Sequence, residues 1–255
     1  MSVLAARDLS FSYGERPILA GVSFELEAGS MLGVVGPNGS GKTTLLRLLA
    51  GLERPSGGEA LLLGRPVGSY ARREIARLVA VVPQGGDAVF PYTTGEIVAM
   101  GRMPHLPWTG TLARADREAC REAMERTDTL RLADRTLDRL SAGERQRVLI
   151  ARALAQGAQV VLLDEASSFL DLGQELAIFR MLDGLRREEG IAFVSVSHDL
   201  NLVGAFCGRA LLLREGRAVA SGPLAEAFTG ENLSALFGVP VETASGPGDR
   251  IRVQW

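Results

Sequence analysis

The chain has 255 residues, 46% of them hydrophobic and 23% charged, and a net charge of −2 at pH 7. This composition predicts an ordinary soluble globular protein, and the balanced charge argues against nucleic acid as a partner. No apolar run reaches the ~18 residues of a membrane-spanning helix, and the first residues lack the layout of a signal peptide, so we expect a cytoplasmic protein. Cys120 and Cys207 match no metal-ligand spacing, which favours buried, reduced thiols.

Strand patterns dominate the first third of the chain and return near its end. Residues 4–13 and 19–27 predict two strands, joined through the turn sequence Gly14-Glu15-Arg16-Pro17, and therefore an antiparallel layer at the edge of the fold. Further strand-like runs lie at residues 31–35, 60–63, 78–82, 160–163, 191–196 and 210–213. Several of these runs are apolar on both faces, as in a parallel sheet covered by helices.

The strand pattern disappears between Gln84 and about Ala158, where residues 113–135 are charged and helix-forming. We expect a helical insert in this part of the chain. Near the C-terminus, the Gly-Pro-Gly-Asp sequence at residues 246–249 predicts a loosely held tail.

Lys42 is the only lysine among the 28 lysine and arginine residues, and it lies in a glycine-rich run that ends at Thr43. The run is Gly36-Pro37-Asn38-Gly39-Ser40-Gly41-Lys42-Thr43. This is the P-loop pattern, in which backbone amides surround phosphates, the lysine reaches the outer phosphates and the threonine hydroxyl binds Mg²⁺. A predicted strand before it and an apolar helix at residues 44–50 place the loop at a helix N-terminus, where phosphates bind.

Two carboxylates, Asp164 and Glu165, follow the apolar run at residues 160–163. They should lie at the carboxyl end of a buried strand, where α/β sheets bind ligands. We expect Asp164 to bind Mg²⁺ together with Thr43, and Glu165 to orient or deprotonate the attacking water of a phosphoryl transfer.

A helix is predicted to begin at the stretch Leu140-Ser141-Ala142-Gly143-Glu144-Arg145-Gln146-Arg147, with Ser141 and Glu144 spaced as a capping box. This stretch resembles the LSGGQ or LSGGE signature motif of the ATP-binding cassette family, and the resemblance extends over essentially the whole chain. It implies an α/β fold with a RecA-like P-loop NTPase core, an antiparallel β edge layer and a helical signature subdomain. It also implies an ATPase that uses ATP and Mg²⁺.

The resemblance divides the chain into one ATPase domain and a short tail. The ATPase domain would cover residues 1–240, with its core at 1–84 and 159–240 and the helical subdomain at 85–158. Residues 241–255 would form the C-terminal tail.

Four other residues occur in the order typical of the family. Tyr13 resembles the aromatic residue that stacks on adenine, and Gln84 the Q-loop glutamine that reaches the metal. Asp171 resembles the D-loop aspartate, and His198 the switch histidine. Each also has an ordinary structural interpretation: Tyr13 as packing, Gln84 as a polar residue after a strand, Asp171 as a helix cap and His198 as a core residue.

The resemblance therefore implies three groups of functional residues. The catalytic residues would be Lys42, Glu165 and His198, and the metal ligands Thr43, Gln84 and Asp164. The nucleotide contacts would be Tyr13, Gly36, Pro37, Asn38, Gly39, Ser40, Gly41, Lys42, Thr43, Thr44, Ser141, Ala142, Gly143, Glu144 and Asp171.

Two positions depart from the family pattern. Ala142 replaces the first glycine of the signature, and Ala166-Ser167 replaces the Pro-Thr that commonly follows the catalytic glutamate. Neither change removes a reacting group, so we expect activity to survive.

In the family, the signature motif of one subunit closes on the nucleotide bound to the P-loop of another, which implies an ATP-dependent homodimer. The sequence Gly101-Arg102-Met103-Pro104-His105 resembles the GRxPH stretch of ATPases that serve importers of iron-siderophores, haem and cobalamin. This implies a peripheral protein on the cytoplasmic side of the inner membrane, working with integral permease subunits and, indirectly, a substrate-binding protein. By itself, His105 can also be interpreted as an ordinary loop histidine.

Two alternatives remain. One is the ATPase of another importer group, for metal ions or polar amino acids. The other is a non-transport cassette ATPase, which is disfavoured because the chain holds one cassette and no long heptad arms.

Overall fold

The protein is described by a computed structural model that covers residues 2–84, 91–107, 109–165, 170–246 and 250–254. The Ala166-Ser167 departure, residues 247–249 of the predicted tail and the predicted subdomain boundary at residue 85 lie outside these ranges. The strands are β1 Ser2–Tyr13, β2 Arg16–Glu27, β3 Met31–Val35, β4 Gly57–Leu62, β5 Arg65–Pro66, β6 Val79–Val82, β7 Val160–Asp164, β8 Ala192–Val196, β9 Arg209–Arg214, β10 Arg217–Pro223, β11 Glu242–Ser245 and β12 Ile251–Gln254. The helices are α1 Lys42–Leu49, α2 Arg72–Leu78, α3 Thr94–Met100, α4 Arg114–Arg126, α5 Ala142–Ala155, α6 Leu172–Glu189, α7 Leu200–Phe206, α8 Leu224–Ala227 and α9 Gly230–Phe237.

The main sheet has six strands in the order β10-β9-β3-β8-β7-β6, and all of its pairings are parallel except that of β10 with β9. Successive side chains of a strand point to opposite faces, so a strand that is apolar throughout must be covered on both sides. In β3, Met31 and Val35 pack in one core, and Leu32 and Val34 pack in the other. The predicted parallel sheet with covered faces is thus confirmed.

The antiparallel layer is a four-stranded sheet in the order β2-β1-β4-β5. Tyr13 pairs with Arg16, so Gly14 and Glu15 alone form the turn and β2 begins earlier than the predicted residue 19. A two-residue turn is the shortest common hairpin connection, and it leaves more residues for the ladder than the four-residue turn that we expected. This sheet and α1 cover one face of the main sheet.

The helical insert is present: between β6 and β7 the described residues form the helices α3, α4 and α5, which pack against one another, and no strand. The helix predicted at residues 113–135 ends at Arg126. Asp128 has a left-handed φ of 53°, and the hydroxyls of Thr127 and Thr129 both bind the carbonyl of Met124, so the chain turns there. In the described ranges, no helix combines the length and the apolar character needed to cross a membrane.

The C-terminal segment differs from the loose tail that the sequence suggested. β11 and β12 pair as an antiparallel hairpin, and β12 packs against α7. Val253 is 5% exposed and belongs to the larger of the two cores. The alternation of apolar and polar residues at 251–254 was the available sequence signal for this strand.

Candidate functional site

Four parallel strands end at the same edge of the main sheet, and the predicted site residues follow those ends. β3, β8, β7 and β6 are neighbours in the sheet. They lead into the P-loop, His198, Glu165 and Gln84, respectively. Because the carboxyl ends of parallel strands form one edge, residues far apart in the sequence meet in one crevice.

The P-loop connects β3 to the N-terminus of α1. Gly41 is the N-cap residue of α1, has a φ of 104° and provides no side-chain cap. A Cβ at position 41 would lie 2.7 Å from Cδ2 of Leu19, so both the conformation and the space require glycine. The amides at the start of α1 therefore have no side-chain acceptor, and an uncapped helix N-terminus attracts anions.

Lys42 lies inside this loop and is 5% exposed. Its Nζ donates to the carbonyl oxygens of Gly36 at 2.8 Å and Pro37 at 3.0 Å. Burial lowers the pKa of Lys42, while the negative charges of Glu165 and Asp164 act in the opposite direction.

Ser40 points a second polar group into the loop. The residue is 3% exposed, and its Oγ has no hydrogen-bond partner in the part of the chain that the structure describes. A buried hydroxyl without a partner is costly, which fits a loop that is completed by a bound phosphate.

Thr43 and Asp164 bring two oxygen ligands together. Thr43 Oγ1 donates to Asp164 Oδ1 at 3.3 Å. Burial raises the pKa of Asp164, although the hydrogen bond from Thr43 and the charge of Lys42 lower it. Hydroxyl and carboxylate oxygens suit Mg²⁺, and a bound cation would favour the charged carboxylate that burial disfavours.

Glu165 lies between Gln84 and His198. Its Oε2 accepts a hydrogen bond from Gln84 Nε2 at 2.6 Å, and its Oε1 lies 2.7 Å from His198 Nε2. Glu165 has a φ of 47°. A left-handed conformation at a residue other than glycine costs on the order of 1 kcal/mol, and such residues concentrate at functional sites.

Tyr13 lies at the end of β1 and is 45% exposed. Its ring packs edge-on against Phe11, with the ring centres 4.7 Å apart. Arg47 of α1 donates to its hydroxyl at 3.4 Å, and that hydroxyl donates to Glu53 at 3.4 Å. Arg47 thus joins this aromatic residue to the helix that follows the P-loop.

The signature residues form the N-terminus of α5. Ser141 Oγ accepts from the amide of Glu144 at 3.2 Å, and Glu144 Oε2 accepts from the amide of Ser141 at 3.1 Å, so the predicted capping box is present. Ala142 is the first residue of the helix and does not have a positive φ. Alanine is therefore accommodated at this position without strain.

Asp171 caps the neighbouring helix α6 by accepting from the amide of Gln174 at 2.8 Å. Gln174 also packs beside the signature, because a Cβ at Gly143 would lie 2.8 Å from its Oε1. No hydrogen bond or ion pair between described residues joins residues 141–144 or Asp171 to the P-loop, Glu165 or His198. One chain therefore presents two separate groups of predicted site residues.

The 101–105 stretch lies in neither group. His105 Nε2 is 2.8 Å from the carbonyl oxygen of Gln156, the C-cap residue of α5. Arg73 and Arg77, one turn apart on α2, both donate through Nε to the carbonyl of Pro104, at 2.8 and 2.9 Å. These arginines were not predicted from the sequence, because their spacing indicates a shared helix face but does not identify a carbonyl as their target.

Comparisons with known proteins identify relatives that match this chain over most of its length. The hemin import ATP-binding protein HmuV of Streptomyces coelicolor is 43% identical over 95% of this chain and 86% of its own length. The iron(3+)-hydroxamate import ATP-binding protein FhuC of Bacillus subtilis is 34% identical over 97% of this chain and 92% of its own. A solved metal-chelate type ABC transporter in an inward-facing conformation superposes with a TM-score of 0.87 at 30% identity, covering 100% of this chain and 98% of that one.

The matching model of one protein family spans the P-loop, the signature and the acidic pair Asp164 and Glu165. It matches residues 19–168 and is described as "ABC transporter". The chain belongs to the ABC transporter family.

Proposed function

We propose that this protein is the ATP-hydrolysing subunit of an importer for iron-siderophores, haem or cobalamin. The observation that carries the proposal is the meeting of the P-loop, the Thr43–Asp164 pair and Glu165 at one edge of the main sheet. The names of the hemin and hydroxamate import relatives support the cargo class.

The P-loop binds the phosphates of ATP in this proposal. Residues 36–44 supply uncapped amides and the Ser40 hydroxyl, and Lys42 exchanges its two carbonyl partners for phosphate oxygens. The side chain of Tyr13 stacks on the adenine, since it is exposed and joined to α1 through Arg47.

The metal ligands are Thr43, Gln84 and Asp164. Mg²⁺ held by these oxygen ligands would neutralise phosphate charge and orient the phosphates for an in-line displacement. Gln84 bonds to Glu165 in the structure and would change partner when the metal binds.

Glu165 is the general base and orients the attacking water. A carboxylate accepts several hydrogen bonds, so it can hold a water while it contacts His198. The imidazole of His198 is 47% exposed at the mouth of the crevice, where it can face a γ-phosphate.

A second copy of the chain completes each site. Residues 141–144 and Asp171 lie at the N-termini of α5 and α6, and no hydrogen bond or ion pair among the described residues joins them to the P-loop of their own chain. Placed against the nucleotide of a partner, they add attraction to a γ-phosphate only while it is present. ATP would therefore close the homodimer and hydrolysis would open it.

This ATPase cycle is coupled to integral permease subunits and, through them, to a substrate-binding protein. The protein would lie on the cytoplasmic side of the membrane as a peripheral subunit. The cargo never touches it, so cargo identity must be tested on the assembled transporter.

The test is ATP hydrolysis by the protein reconstituted with its permease in proteoliposomes. Binding proteins loaded with a ferric siderophore, haem or cobalamin are added in turn, with zinc-, manganese- and amino-acid-loaded binding proteins as controls. We expect stimulation by one member of the first group. Stimulation only by a control protein would assign the chain to a different importer group.

A further inference from the structure

The C-terminal hairpin lies against the helix that follows His198. β12 packs along α7, which begins at Leu200, two positions after the histidine. The hairpin has no part in the function proposed above, and its residues do not reach the nucleotide crevice through any described hydrogen bond.

Two contacts fix β12 on α7. The side chain of Asn201 forms two hydrogen bonds with the backbone of Val253, as a neighbouring strand would. Asn201 Oδ1 accepts from the amide of Val253 at 2.9 Å, and Asn201 Nδ2 donates to the carbonyl of Val253 at 3.5 Å. Gly204 faces the carbonyl oxygen of Ile251 so closely that a Cβ at position 204 would lie 2.1 Å from it. Residues 201 and 204 share a helix face, and residues 251 and 253 share a strand face, so the contacts determine both the position and the direction of β12.

The first turn of α7 also holds the loop that carries His198. Asp199 Oδ1 accepts from the amides of Asn201 at 2.8 Å and Leu202 at 3.0 Å. The side chain of His198 is 47% exposed, so its 2.7 Å contact with Glu165 depends on the backbone that carries it. A continuous series of contacts thus runs from Val253 through Asn201 and Asp199 to the histidine.

Apolar packing stabilises the docked hairpin. Val253 is 5% exposed and packs in the same core as Leu200 and Val203 of α7. Removing β12 would uncover that side of the helix.

We propose that the C-terminal hairpin positions His198 for ATP hydrolysis, with Asn201 and Gly204 as positioning residues. The inference rests on the proposed function, in which His198 and Glu165 act beside the γ-phosphate. A displacement of the first turn of α7 would move the imidazole away from the carboxylate, while Val203 in the middle of the helix stays packed on Gly33 of β3, the strand that leads to the P-loop. The proposal therefore predicts a loss in kcat rather than in ATP affinity.

The decisive variant is Gly204→Ala. Alanine favours a helix more than glycine does, so α7 itself is not weakened, but the added Cβ collides with β12. We expect kcat for ATP to fall about tenfold with an unchanged KM, since a misplacement of ~1 Å can cost up to ~100-fold. The control is Gly208→Ala, where a Cβ would meet nothing within 4 Å, and its kcat should equal that of the unaltered protein.

A double-mutant cycle separates positioning from general destabilisation. In a His198→Ala background, Gly204→Ala should cause no further loss, because the residue it positions is absent. Equal fold-losses in both backgrounds, or an unchanged kcat for Gly204→Ala alone, would overturn the proposal. If Gly204→Ala does not fold, Asn201→Ala removes the hairpin contacts without adding atoms and is measured in the same way. Absence of ATP hydrolysis in the unaltered protein would instead overturn the proposed function.

Discussion

Nε2 of His198 lies 2.7 Å from Oε1 of Glu165, although the two residues are 33 positions apart in the chain. The contact follows from sheet register: Asp164 at the end of β7 pairs with Val196 at the end of β8, so the residues after each strand emerge side by side. A shift of one residue would turn every side chain of a strand to the opposite face, and both covered faces of this sheet oppose such a shift. The packing of the core thus determines the geometry of the two groups that we propose as catalytic.

Glu165→Gln should retain nucleotide binding and lose hydrolysis. The amide keeps the shape and can still contact Gln84 and His198, but it cannot accept a proton from water. Loss of general-base catalysis typically costs 100- to 10,000-fold, so we expect kcat to fall by at least ~100-fold. With saturating ATP and Mg²⁺, light scattering should show this variant trapped as a dimer. A monomer under those conditions would contradict the composite site.

Mixing Lys42→Ala with Ser141→Arg should restore hydrolysis that neither variant has alone. In a mixed dimer, the intact P-loop of one subunit faces the intact signature of the other, so one of the two sites is complete. Random exchange makes half of the dimers mixed, and the mixture should reach roughly a quarter of the unaltered rate, provided that the sites act independently. The measurement is phosphate release from equimolar mixtures, with each variant alone as the control.

Ser141→Arg alone should still bind ATP, because no hydrogen bond or ion pair among the described residues joins positions 141–144 to the P-loop of their own chain. A hydrolysis rate of zero in every mixture, or loss of ATP binding in Ser141→Arg, would show that the signature and the P-loop act within one chain.

Gly101→Ala should destabilise the protein. Gly101 is the C-cap residue of α3. A Cβ at this position would lie 2.2 Å from the carbonyl oxygen of Arg152 in α5, and this backbone atom cannot move without moving the helix. Overpacking of this kind costs about 1–3 kcal/mol in the free energy of unfolding. The matched control is Gly184→Ala within α6, where a Cβ meets nothing within 4 Å and alanine should add about 1 kcal/mol. Urea unfolding measures both variants, and equal midpoints would refute the close approach of α3 to α5.

Asp116→Asn should destabilise the protein at neutral pH and lose that effect in acid. Asp116 accepts from the amide of Ala113 and from Arg102 Nε, each at 3.0 Å, and these hydrogen bonds lower its pKa, the amide having the larger effect. A carboxyl group whose pKa is lower in the folded than in the unfolded protein stabilises the fold. This stabilisation is complete when the pH is above the unfolded pKa of about 4, and it is lost as the pH falls through the pKa of the folded protein.

The difference in Tm between Asp116→Asn and the unaltered protein should therefore be constant from pH 7 to about pH 5 and shrink below about pH 4. The exposed Asp134 provides a control, and Asp134→Asn should leave Tm at pH 7 unchanged. A difference that grows on acidification would contradict the assigned hydrogen bonds.

The P-loop, the capping box at Ser141 and the apolar strands were predictable from the sequence. Each is a local pattern, because the residues involved are at most a few positions apart in the chain. The P-loop combines amides and a lysine in one loop, and the capping box joins a hydroxyl and an amide within one helical turn. The strands are recognised from neighbouring apolar side chains. The family resemblance then supplied the roles of Gln84, Asp171 and His198, which no local pattern assigns.

Only the tertiary structure decided which distant residues meet. The strand order places β3 between β9 and β8, and the contacts of Glu165 with His198, of Arg73 and Arg77 with Pro104, and of Gly204 with Ile251 all depend on how elements pack. Such contacts are stabilised by burial summed over many residues, and no single position in the sequence records them. The sequence by itself therefore determined the phosphate-binding pattern of the P-loop, and the tertiary structure decided how the groups that we propose to act on the phosphate are held.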